Sequence, residues 1–183
     1  MYGWKSHFVI QADYQHWANE AMLASLGHLT PDSLTSDQGL YFRSIHHTVD
    51  HMLTVLKEGM ACLQGECQRL NHWQLHHTDW GELQSALRHD TRRLQTWLQE
   101  QEEDFFEREI AVSGADGRPQ PMWARDLLTH LFTHAAHCRG QVIAAACRLG
   151  APYPQLAFSV YRREMERLLN ELRQGEGRNP TAG

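Results

Sequence analysis

The stretch WARDLLTHLFTHAAHCRGQVIAAACRLG, residues 123–150, decides how this chain is read. Its apolar residues recur with the period of one long helix. His130, His134, His137 and Cys138 stand at i, i+4, i+7 and i+8, so they return to one side of that helix. Leu127, Leu128, Leu131, Ala135, Val142, Ala145 and Ala146 surround the polar strip. A helix that turns imidazoles and a thiol towards its buried side needs something to satisfy them. Neutral imidazole and thiolate are preferred ligands of divalent metals, so a metal is the first candidate.

Working outward, three further amphipathic segments precede this helix. Residues 5–28 carry Phe8, Ile10, Tyr14, Trp17, Ala18, Ala21, Met22 and Leu26 at helical spacing, and Gly27 is a stop signal. A polar loop follows to Gly39, with Thr30-Pro31-Asp32-Ser33 as a turn or a short helical piece. A second helix is expected over 40–65, striped by Ile45, Val49, Met52, Leu53, Leu56 and Met60. His46 and His47 read as exposed polar residues, Asp50 as a surface carboxylate, and His51 as a residue at the margin of the buried face. Residues 66–80 form a polar linker in which His72, His76 and His77 make a poor rigid site, with Trp73 and Leu75 expected to pin it to the body.

A third helix is expected over 80–105, capped by Asp79 or Thr78 and buried through Leu83, Leu87, Leu94, Trp97 and Leu98. The acidic run 99–104 at its end reads as a solvated terminus. Between it and the long helix, Glu109–Val112 has strand character and Asp116-Gly117 signals a turn, which predicts a small β-hairpin within 108–123. Pro152 and Pro154 end the long helix region, and a last helix is expected over 155–173. The expected whole is an all-α four-helix bundle with antiparallel neighbours, a hairpin insert and an extra C-terminal helix. It forms one domain over 1–173, followed by a flexible tail over 174–183. Such bundles build metal sites from facing helices.

Composition agrees with one soluble domain. Hydrophobic residues make up 42% and charged residues 21% of 183, and the formal net charge is −5, which argues against a nucleic-acid partner. No apolar run approaches the ~20 residues of a membrane span. No signal-like stretch stands at the N-terminus, so a cytoplasmic location is expected. Cys62, Cys67, Cys138 and Cys147 form no disulfide framework and read as reduced thiols.

Three motifs carry a resemblance. YQHWANEAML at 14–23, SIHHTVDHMLTVL at 44–56 and HLFTHAAHCRGQV at 130–142 stand in order and at compatible spacing. Together they resemble the DinB-like family of bacterial proteins, first associated with DNA-damage induction. The resemblance runs over residues 8–150. It implies a four-helix bundle, commonly a homodimer, with a metal held by one His of the second helix and two of the long helix. Those positions fall on His51, His134 and Cys138, and the last is usually His in the family. Three options follow: Cys138 ligates as thiolate, which suits zinc; His137 takes its place, since i, i+3 neighbours share a helix face; or the site is degraded and Cys138 is a buried thiol. His130 is expected to pack nearby, Gly140 to permit close helix approach, and Arg139 and Gln141 to be interface, supporting or ordinary surface groups.

Three protein ligands leave an open position, where a divalent metal, zinc or nickel, activates water or receives a thiolate. The resemblance therefore implies a metal-dependent hydrolase or a low-molecular-weight-thiol transferase acting on a small molecule, with a thiol among the candidates. The rival is a non-enzymatic, metal-binding, dimerising stress-response protein. Trp4, Trp17 and Arg139 on the first and long helices are the anchors expected at a dimer contact.

Overall fold

The computed structural model describes residues 3–114 and 116–176. Its elements are α1 (Trp4–Leu26), α2 (Pro31–Thr35), α3 (Ile45–Leu63), α4 (Trp80–Glu100), a 3₁₀ turn (Glu103–Glu107), β1 (Glu109–Ser113), β2 (Pro119–Trp123), α5 (Ala124–Arg148) and α6 (Phe158–Glu176). The caps set most starts. Thr30 accepts from the Ser33 amide, Ser44 from the His47 amide (3.1 Å) and Asp79 from the Glu82 amide (2.8 Å). The second helix begins at Ile45 rather than 40, because Leu40 and Arg43 pair in a tight turn that puts Arg43 at φ 67°. The third helix stops at Glu100, and the acidic residues beyond it are exposed, as expected, while one of them also caps α1. The Glu103 carboxylate accepts from the Trp4 amide and from the Lys5 amide (3.2 Å). The expected hairpin is present, β1 pairing antiparallel with β2 from Glu109↔Trp123 to Ser113↔Pro119. The final helix runs through Glu176, so the tail expected over 174–183 is helical at its start, and its remainder lies outside the described residues.

The four long helices α1, α3, α4 and α5 make the bundle, as expected, but not all neighbours are antiparallel. Two apolar clusters fill its ends. One joins Met22, Leu26, Ile45, Val49, Leu83 and Val142; the other joins Phe8, Met60, Leu63, Leu94, Leu98 and Leu128. Hence α1 and α5 run one way and α3 and α4 the other, and α3 lies parallel to its neighbour α4. A parallel pair needs a return connection as long as a helix. Residues 64–79 supply it: they can span about 50 Å extended, against about 28 Å for α3.

The linker climbs back along α3, and α3 holds it by named bonds. Glu58 accepts from the Leu70 amide (3.3 Å) and pairs with His72 Nε2 (2.7 Å). Asp50 accepts from the amides of His76 (2.7 Å) and His77 (3.1 Å) and from His77 Nδ1 (2.7 Å). The His46 ring donates from Nε2 to the His77 carbonyl (2.7 Å). This corrects two expectations, for Asp50 and His46 are buried rather than on the surface. Trp73 packs on Tyr41 and Phe42, ring centroids 5.1 and 5.3 Å apart, and so helps to pin the linker as expected, with Asp50 and Glu58 adding polar pins while Leu75 stays exposed. The reduced-thiol reading also fails for Cys62 and Cys67, which form a disulfide where α3 passes into the linker; Cys138 and Cys147 are free. Among the described residues no helix is long and apolar enough to cross a membrane.

Candidate metal centre

Helices α3 and α5 approach closely because Gly59 has no side chain: a Cβ there would lie 2.5 Å from Leu131 Cδ2. Gly140, the glycine expected to allow close approach, faces open space. Two turns before Gly59, His51 points from α3 at His134 of α5, and their Nε2 atoms are 3.0 Å apart. Cys138 follows one turn after His134, with Sγ 3.7 Å from His134 Nε2. The donor atoms of His51, His134 and Cys138 all lie within 4.8 Å of one another and could hold a metal ion.

Two of the three donor separations are close to those of a tetrahedral centre. Zinc–nitrogen bonds of ~2.1 Å and zinc–sulfur bonds of ~2.3 Å put donors about 3.4 Å (N to N) and about 3.6 Å (N to S) apart. The observed 3.0 and 3.7 Å need only small adjustments of rotamer. His51 is held by stacking on Phe42, ring centroids 3.9 Å apart, while its Nδ1 is buried with no hydrogen-bond partner. Aromatic packing therefore orients this ring, where a carboxylate or carbonyl more often does.

Electrostatics favour neutral ligands. Burial, then the neighbouring His134 and His72 imidazoles, lowers the His51 pKa from 6.5 to about 4. Burial, then His130 and His137, lowers His134 likewise to about 4. Both rings thus keep lone pairs available near neutral pH. Burial pushes the Cys138 thiol up to about 11, against the pull of Arg139, so the thiol keeps its proton until a cation displaces it.

The other candidates fall around this cluster. His137 is exposed, its Nε2 3.0 Å from Gln141 Nε2, on the rim of a cavity of about 420 Å³ that also reaches His51, His134 and Cys138. His130 stacks on His134 at 5.7 Å, as expected of a packing neighbour. Arg139 is 2% exposed and donates from Nη1 to Asn19 Oδ1 (3.0 Å), so it is neither surface nor an interface anchor. Sequence reading missed Glu58 and His72, which line a second cavity running to the cluster. Glu58 follows His51 by seven residues on one helix face, a signal the sequence does contain; nothing in the sequence places His72 there.

The model of the DinB family matches residues 7–171. The chain belongs to the DinB family. A search of curated proteins returns no significant match. The match takes in the four bundle helices, the hairpin and most of α6. Within this DinB chain, the three positions to which the resemblance assigns ligands are the three whose donor atoms cluster. The third of these positions is Cys138, so the cluster contains a soft thiol beside its two imidazoles.

Proposed function

We propose that this DinB protein is a divalent-metal-dependent enzyme, with hydrolase or low-molecular-weight-thiol transferase chemistry at a centre built from His51, His134 and Cys138. One observation carries the reading: the donor atoms of His51, His134 and Cys138, from two helices, lie within 4.8 Å of one another where two cavities, of about 360 and 420 Å³, meet. Two imidazoles and a thiolate suit zinc ahead of nickel. A bound divalent ion supplies Lewis acidity there. The chain's own residues do the rest. Phe42 fixes the His51 ring, α5 presents His134 and Cys138 from consecutive turns, and Arg139 biases the adjacent thiol towards ionisation. Tyr41 and Trp73 wall the open side and limit which small molecules reach the donors.

The test is metal analysis of protein purified without added metal, beside His51→Ala, His134→Ala, His137→Ala and Cys138→Ala. The parent and His137→Ala are expected to hold about one equivalent, and the other three to lose it or bind at least a hundredfold more weakly. Undiminished binding by His51→Ala and His134→Ala would overturn the reading. A metal-free parent beside a metal-holding Cys138→His would mark a degraded site and favour a non-enzymatic role.

A further inference from the structure

The cavity of about 360 Å³ between α3, α5 and the hairpin has a chemistry of its own. Val55, Leu127, Leu131, Val112 and Met122 give it apolar walls, and His51 and His134 stand at its inner end. Among the described residues its single carboxylate is Glu58, and neither lysine nor arginine lines it. Both known partners of Glu58, the Leu70 amide and the His72 ring, are already engaged with its Oε2.

We infer that this cavity binds the body of the substrate, and that the body is an aliphatic or aryl group ending in a neutral or cationic head beside Glu58. The inference deepens the reading of the cluster as a reaction centre and rests on it for its catalytic meaning. Apolar walls reward an apolar body by removing it from water. A carboxylate or phosphate head at Glu58 would give up its hydration next to another anion, with no Lys or Arg to replace the lost water. An ammonium or hydroxyl head can instead donate to Oε1 of Glu58. Val112 and Met122 come from the hairpin, which makes that insert the element that sets specificity.

The experiment uses three probes of one shape: 3-phenylpropylamine, 3-phenylpropanol and 3-phenylpropionate. Each is titrated calorimetrically into the full chain, metal-free and after loading with zinc. In the metal-free protein the amine and alcohol are expected to bind at least tenfold more tightly than the carboxylate. Glu58→Gln is expected to bring amine and alcohol level. Val112→Trp, which fills the cavity from the hairpin, is expected to weaken all probes at least tenfold. Methyl resonances of Met122 and Leu131 give a second measurement, with intermolecular NOEs to the phenyl ring expected in the parent. Carboxylate binding as tight as amine binding in the metal-free chain would overturn the inference. So would absence of binding, or absence of those NOEs. Probe binding by a parent that takes up no zinc would leave the cavity assignment standing while the metal reading falls, so the two failures are distinct.

Discussion

In the proposed centre, Cys138 is the donor that sets the expected response to pH. Its thiol, at about 11, must lose a proton to ligate, whereas His51 and His134, at about 4, are already neutral near pH 7. Metal affinity is therefore expected to rise about tenfold per pH unit between pH 6 and 8, one proton leaving per ion bound. Competition against a chelating indicator measures this, and Cys138→Ala is expected to show weak binding with no such slope. The histidines act on stability in the metal-free protein instead. Their pKa values are depressed in the fold, so the unfolded chain takes up more protons as pH falls from about 6.5 to about 4. Stability is expected to be full above 6.5 and to decline across that window, seen as a lower urea midpoint at pH 5 than at pH 7. A His51→Gln/His134→Gln double variant is expected to flatten the decline. At this scale the sequence is readable where the geometry is local. His134 and Cys138 share a face by their spacing alone, whereas the burial of Asp50 and His46 comes from a linker that no local pattern places.

Among the elements, that linker is the one whose fixing is most concentrated. Asp50 is fully buried and satisfies two amides and a ring nitrogen of residues 76 and 77. Asp50→Ala leaves those donors without their acceptor and is expected to cost about 3 kcal/mol, read from urea denaturation. Hydrogen exchange at the His76 and His77 amides is expected to accelerate more than at mid-helix amides of α4, because the linker loosens before the bundle does. The helices themselves are legible from periodicity, and the hairpin from Asp116-Gly117. Helix direction is not. A polar stretch such as 64–79 reads equally well as a loose loop or as a return strap, and the carboxylates of α3, Asp50 buried and Glu58 half-buried, decide between them. The start of α3 is misread for a related reason: Leu40 and Phe42 continue the apolar pattern into what is a turn.

For the whole molecule, the homodimer is an expectation from the family resemblance. Arg139 is removed from its contact surface by burial, while Trp4 stays 39% exposed, and Leu169 and Leu172 of α6 are 53% and 66% exposed. Exposed apolar groups of this kind are costly to leave in water when they adjoin one another. Sedimentation at micromolar concentration is expected to give twice the chain mass, and Leu169→Glu/Leu172→Glu to shift it towards the monomer. A monomeric parent would count against the dimer. The bundle class is visible from four periodic segments, but the parallel placing of α3 beside α4 depends on contacts between distant segments.

His51 and His134 lie 83 residues apart in the chain, and the strap that returns along α3 must close between them. The centre therefore cannot preform on a short peptide, as the loop of a small metal-folded domain can. Its donors meet only once segments distant in the chain have paired, which non-local topology makes a slow event. An ion captured there would register arrival at the native topology, and a nascent or nicked chain lacking α5 keeps only His51 of the three donors.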